Sequence, residues 1–209
     1  MILLSGFEPF DGAEVNPSAE IVHAIDLDPP SGIDLATTIL PVETGVAAER
    51  LLSMVDECGA DIVLMLGEAR GRSVISIEQV AVNLLDFSIP GNAGHQVRDR
   101  RIVENGPDAI FATLPVRALV DALRDQDIPA ERSLTAGTYL CNEVSYRVLE
   151  RSRRQDESAS PIAGFIHLPS LPSPSNTGMN MPLDLEVHAI RIILSKLFEA
   201  ESGDCVQIS

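Results

Sequence analysis

Short unbroken runs of apolar residues alternate along this chain with stretches in which apolar residues recur every three or four positions. Ile2 to Leu4 is the first run and closes at Ser5-Gly6, and Asn16-Pro17-Ser18 then opens a helical pattern through Ile21, Val22 and Ile25. Leu35 to Pro41 predicts a second strand. Val46 to Cys58 predicts a helix with Leu51, Leu52 and Val55 on its apolar stripe, and Ile62 to Leu66 a strand ended by Gly67. Val74 to Leu85 has the β-branched content of a strand, with Glu78 inside it. Ser88 to Asn105 is polar and carries turn residues from Pro90 to Gly94. Further on, Pro115 to Gln126 predicts a helix and Ser133 to Ala136 a short strand. A helix opening at Cys141 runs through Val144, Val148 and Leu149 into the charged run Arg151 to Glu157, a solvated helix end. Pro161 to Leu168 predicts the last strand and Pro169 to Pro182 a Pro/Ser-rich loop. Leu183 to Glu199 predicts a closing helix with Val187, Ile190 and Leu194 inward.

Continuous apolar strands alternating with amphipathic helices belong to an α/β protein, whose largely parallel sheet is covered on both faces and carries its site at the carboxyl ends of strands. Gly6 and Gly67 mark two such ends. With no repeat or linker in the pattern, 209 residues are expected to form a single domain spanning 1–209.

Charge narrows the partners. Fifteen Lys and Arg against 31 Asp and Glu give a formal charge of −16, which repels phosphate backbones and anionic lipid surfaces. No nucleic acid and no membrane partner is expected, and no apolar run approaches the roughly 20 residues that span a bilayer. The start Met1-Ile2-Leu3-Leu4 has no basic, leader-like character, so the expected location is cytoplasmic. Cys58, Cys141 and Cys205 are odd in number and widely spaced, forming neither a disulfide framework nor a metal or redox motif. Cys58 and Cys205 read as structural and incidental.

Cys141 follows the turn Ala136-Gly137-Thr138 and opens a helix, where unpaired N–H groups and the helix dipole favour a thiolate. Taken alone, a free cysteine is more often a small buried hydrophobe than a nucleophile. His167 ends the strand Gly164-Phe165-Ile166-His167 and is the best-placed base, whereas His23, His95 and His188 read as surface residues. Glu78 interrupts an apolar strand, where a carboxylate needs a partner: either a histidine ring that it orients or an arginine. Thiol, imidazole and carboxylate together make an acyl-transfer apparatus without cofactor or metal. Gly67 to Arg72 lacks the glycines and the Lys-Ser/Thr pair of phosphate-binding loops.

Gly6-Phe7-Glu8-Pro9-Phe10 with Asn16-Pro17-Ser18, the stretch Gly67 to Asn83, Gly137-Thr138-Tyr139-Leu140-Cys141-Asn142, and Gly164-Phe165-Ile166-His167-Leu168-Pro169 together resemble the pyroglutamyl peptidase I family. The likeness runs in order from Met1 to about Leu197, through Asn105-Gly106-Pro107-Asp108-Ala109 and Thr113-Leu114-Pro115. The resemblance implies a three-layer α/β/α sandwich with a twisted, largely parallel mixed sheet. It further implies a cofactor-free cysteine omega-peptidase removing N-terminal pyroglutamyl residues from small peptides, in a homodimer or homotetramer. Cys141, His167 and Glu78 match its catalytic triad, and Phe7, Phe10, Asn16, Glu68 and Leu140 fall at matching substrate-pocket positions. A lactam ring has apolar faces suited to aromatic walls and an amide edge that needs polar partners.

The chain also departs from that pattern. Glu68 stands where many relatives carry Gln, and a carboxylate only accepts hydrogen bonds where an amide both donates and accepts. Glu78-Gln79-Val80-Ala81 and Ser88-Ile89-Pro90-Gly91-Asn92 lack two arginines and an aspartate common in the family. Pro172-Ser173-Pro174 replaces a Pro-Glu-Gln in a loop expected to overhang the cleft. Two other readings therefore stay open: a cysteine amidohydrolase acting on another neutral lactam or N-acyl compound, and a noncatalytic pyroglutamate-binding homologue.

Overall fold

The computed structural model describes residues 1–154, 160–173 and 179–201. In chain order its elements are β1 (Ile2–Phe7), α1 (Pro17–Leu27), β2 (Leu35–Leu40), α2 (Val46–Cys58), β3 (Ile62–Glu68), β4 (Ile75–Glu78), β5 (Val80–Val82), β6 (Ala109–Phe111), α3 (Val116–Arg124), β7 (Ala130–Ser133), α4 (Leu140–Arg154), β8 (Ile162–Leu168) and α5 (Leu183–Glu201). Six strands form one mixed sheet in the order β2-β1-β3-β8-β4-β7. The first four run parallel, β4 is antiparallel to β8, and β7 is parallel to β4. β5 and β6 pair separately and antiparallel, beside α4.

Side chains alternate across a strand, and here both sides are apolar, which is why the strands read as unbroken runs. Ile2, Leu4, Leu64, Leu66, Ile75, Ile77, Ile166 and Leu168 pack against α1, α3 and α5. Leu3, Val63, Met65, Ala163 and Phe165 point the other way, into the layer of α2 and α4. The result is the expected α/β/α layering. Among the described residues no helix is long and apolar enough to cross a membrane.

Local chemistry sets the element ends near the site. Asn16 caps α1 by accepting the Ser18 N–H at 3.0 Å, and Pro17 occupies the first turn, where its missing N–H costs nothing. The start of α1 lies so close to β1 that a Cβ on Gly6 would sit 2.5 Å from the Ser18 carbonyl oxygen, so only glycine fits there. α2 stops at Gly59, which takes the left-handed conformation (φ 62°).

Two sequence expectations need correction, and β6 and the burial of Glu186 lie outside what the pattern foreshadows. Val74 to Leu85 is two strands, not one, because the chain breaks at Gln79: β4 joins the main sheet and β5 leaves it for β6. β6 itself is not foreshadowed by the apolar pattern. The strand expected at Ser133 to Ala136 lies earlier, at Ala130–Ser133, and Leu134, which suggests it, is exposed. On α5, Ile190 and Leu194 are buried as expected and Val187 only partly, but Glu186 is also fully buried. Neither Glu186 carboxylate oxygen has a hydrogen-bond partner among the described residues; burial, then the charge of Glu68, pushes its pKa up to about 9, so it is neutral near pH 7. Gln155 to Glu157 of the charged run, Pro174 and Cys205 lie outside the described residues.

Candidate active site

The chain leaves β1 for α1 and β2 on one side and continues through α2 to β3 on the other, so the connections diverge between the carboxyl ends of β1 and β3. In open α/β sheets a crevice forms at that switch point. It does so here: a narrow, mostly apolar pocket is lined by Phe7, Phe10 and Asn16 from β1 and its loop, Val42 after β2, and Glu68 at the end of β3. Tyr139, Leu140 and Cys141 close it from the start of α4. The five residues expected at a substrate pocket are thus brought together with Cys141. Val42 and Tyr139 also line it; Tyr139 belongs to the motif that precedes Cys141 without being singled out as a pocket residue, and nothing local distinguishes Val42 from a core residue.

Period-two alternation explains how His167 and Glu78 reach the same face. On β8, Ala163, Phe165 and His167 point toward α4; on β4, Ile75 and Ile77 point away from it and Glu78 toward it. Ser76 pairs with His167 across the antiparallel ladder, and Glu78 lies two residues further along. Glu78 Oε1 accepts from His167 Nδ1 at 2.8 Å, both side chains being almost fully buried. Arg72 Nη1 donates to that same oxygen, also at 2.8 Å. The two partners considered for Glu78, a histidine and an arginine, are both present. Because Nδ1 must carry the proton of that bond, Nε2 is the free acceptor nitrogen of the neutral ring.

Cys141 is the second residue of α4 and is half-buried. Gly67, paired with His167 in the sheet, makes room for it: a Cβ at position 67 would lie 2.9 Å from Cys141 Sγ and 2.7 Å from Phe165 Cζ. Any larger residue there would displace the sulfur. No hydrogen bond joins Cys141 to the His167 ring among the described residues, and the ring packs on Phe165 at 4.8 Å between centroids. The helix start is held by Asn142, whose amide bonds Val82 N–H at 2.9 Å and the Val82 and Leu84 carbonyls, and by buried Glu143, which takes Thr44 Oγ1 and the Gly45 N–H at the start of α2.

The helix position of Cys141 suggests a favoured thiolate. Burial, and then the charge of Glu78, outweigh the local backbone hydrogen bond and Arg72, so the thiol pKa is pushed up to about 12. Burial also lowers the pKa of His167 despite its bond to Glu78. Near pH 7 the thiol and the imidazole are therefore both neutral at rest.

The pocket walls are braced by charge. Arg70 lies over the Phe10 ring at 4.4 Å from its centroid, bonds Asp11 at 2.7 Å and the Phe10 carbonyl at 3.2 Å, and approaches Glu68 at 3.4 Å. Glu68 Oε1 accepts from Ser170 Oγ at 2.6 Å. Glu8 ties the Val42 N–H and Asn92 to the same loop, and Asn16 Nδ2 donates to the Glu8 carbonyl. Gly91 sits against the Val42 carbonyl, whose oxygen is 2.8 Å from where a Cβ would be. Arg70 and Arg72 are inconspicuous in the sequence, because a surface-type residue beside turn glycines gives no sign of where its guanidinium ends.

The family model described as pyroglutamyl peptidase matches residues 1–199. The chain belongs to the pyroglutamyl peptidase family. Among curated relatives in that family, the pyrrolidone-carboxylate peptidase of Chromobacterium violaceum is 44% identical over 171 residues, covering 82% of this chain and 78% of that protein. The one from Thermococcus onnurineus is 40% identical over 95% of this chain and 99% of its own length. The crystal structure of pyrrolidone carboxyl peptidase from Fervidobacterium islandicum superposes with a TM-score of 0.88 at 39% identity, covering 95% of this chain and 98% of that one. The pyroglutamyl peptidase I of Bacillus amyloliquefaciens gives 0.88 at 31%, covering 93% and 92%. Family members thus share this fold along nearly the whole described chain.

Proposed function

We propose that the protein is a cysteine peptidase removing N-terminal pyroglutamyl residues from small peptides, with Cys141 as nucleophile, His167 as general base and acid, and Glu78 orienting the imidazole. The observation that carries the reading is the placement of Cys141 Sγ against Gly67, whose sheet partner is the His167 anchored on Glu78, in the wall of the slot formed by Phe7 and Phe10.

The pyroglutamyl ring enters the slot with its faces against Phe7, Phe10 and Leu140 and its amide edge toward Glu68. Asn16 acts by holding the first loop. Cys141 Sγ attacks the pyroglutamyl carbonyl as its proton passes to His167 Nε2, and the first-turn N–H groups of α4 stabilise the oxyanion. The scissile C–N bond breaks as Nε2 returns the proton to the leaving amine. Water then gives a proton to Nε2 and attacks the thioester, releasing pyroglutamate and restoring the thiol. A working thiol needs a reducing environment, which fits a cytoplasmic location.

The test is a panel of anilides on purified protein. Hydrolysis of the pyroglutamyl compound, with prolyl and glutamyl analogues left intact, is the expected result; a folded protein inert toward all three would overturn the reading. Glu68 favours a second reading, because an acceptor-only group at the amide edge suits lactam N–H more than lactam C=O. A different neutral lactam or N-acyl anilide cleaved in preference would select that alternative.

A further inference from the structure

Arg72 lies outside the triad and outside the pocket lining, yet it reaches both halves of the site. Its Nη1 shares Glu78 Oε1 with His167, while its Nη2 donates at 3.3 Å to the carbonyl of Thr135, in the turn that runs directly into Cys141 and α4. β4 and α4 are far apart in sequence, and this guanidinium ties the end of one to the approach to the other. The arginine side chain is 28% exposed and the carboxylate 2%, so the pair is far less screened than one on the surface. A planar fork with two separate donors suits this bridge, and an ammonium reaches only one end at a time.

We propose that Arg72 is a positioning residue for the reaction: by gripping Glu78 Oε1 and the Thr135 carbonyl together, it fixes the carboxylate that orients His167 relative to the turn that delivers Cys141.

The bridge also sets the charge balance. Glu78 from β4 and Arg72 before it act on the imidazole, and the same two groups together with Glu68 at the end of β3 act on the Cys141 thiol. Glu78 favours the imidazolium and disfavours the thiolate; Arg72 does the opposite on both counts. With Arg72 removed, the field of Glu78 is unopposed, so His167 holds its proton to higher pH and the acid limb of the rate profile moves up. This inference rests on the triad reading above, and its test includes a readout that needs no pyroglutamyl substrate.

Arg72→Met and Arg72→Lys would be compared with the wild type in a background where Cys58 and Cys205 are serine. Two profiles are recorded: kcat/KM for a pyroglutamyl anilide, and the rate of Cys141 alkylation by iodoacetamide, each against pH. For Arg72→Met we expect kcat to fall about 10- to 100-fold with KM little changed, and the acid limb to rise by about half a unit or more. Alkylation at neutral pH should slow. Arg72→Lys should return the acid limb to its original place while recovering only part of kcat, because it restores the charge but not the fork. Both variants showing the wild-type acid limb and alkylation profile, with lost activity tracking lost thermal stability alone, would overturn the proposal. If the wild type cleaves no pyroglutamyl anilide, the functional reading fails, and the alkylation profiles still decide the role of Arg72.

Discussion

Cys141→Ala should abolish hydrolysis of a pyroglutamyl anilide, lowering kcat by roughly 10⁵-fold or more, since removing the nucleophile of a triad removes the covalent route outright. The fold should survive. The thiol is small and half-buried, and with its pKa pushed up to about 12 it carries no charge whose loss would strand a partner. Deleting it costs on the order of 1 kcal/mol, from packing against Phe165 and the pocket wall. Circular dichroism and thermal melting alongside the assay separate the two effects: near-native melting with activity at background is expected. Retained turnover would mean that another group does the chemistry.

Glu78→Gln has the second-largest expected effect. Glutamine fills the same volume and still offers an oxygen to His167 Nδ1–H, so ground-state geometry is largely kept. The negative charge that stabilises the imidazolium is lost, and that charge matters when His167 has taken the thiol proton. A fall in kcat of about 10²- to 10⁴-fold with nearly constant KM is expected. Glu78 raises the His167 pKa through its hydrogen bond and its charge, so without it the imidazole deprotonates at lower pH and the acid limb moves down. Arg72→Met moves the same limb up. Opposite shifts from replacing the carboxylate and from replacing the guanidinium that shares its oxygen would be difficult to obtain from a general loosening of the site, and a pH series on both variants reads them directly. The substitution also leaves Arg72 facing a neutral amide, so some loss of thermal stability should accompany the kinetic effect.

How far the sequence carries depends on which interactions are local. Val46 to Cys58 is legible to its end residues because its stripe of Leu51 and Val55 is periodic and Gly59 supplies a left-handed stop. β6 is not, because Ala109–Phe111 is too short to show alternation and forms only by pairing with β5, far away in sequence. β7 lies three residues ahead of its expected start because Glu131 and Arg132 on this edge strand are exposed, so its pattern does not resemble a buried strand. Within the site, motifs point to Cys141, His167 and the Phe7/Phe10 loop, and alternation on β8 and β4 explains why His167 and Glu78 meet. What motifs do not convey is where long side chains end: Arg70 on the Phe10 ring, and Arg72 on Glu78 and the Thr135 carbonyl. Buried Glu186 is hidden for a related reason, since an acidic residue in the first turn of a helix is ordinarily a solvated, dipole-favoured one.

If Cys141 is the nucleophile, it must carry the pyroglutamyl group as a thioester during turnover. Rapid acid quenching of the protein with a pyroglutamyl ester, followed by intact-mass and peptide analysis, tests this most directly. An adduct of one pyroglutamyl unit on the peptide containing Cys141, absent in Cys141→Ala and accumulating in a His167 variant slowed in hydrolysis, is the predicted result. Substrate turnover with no adduct at Cys141, or an adduct at Cys58 or elsewhere, would contradict it.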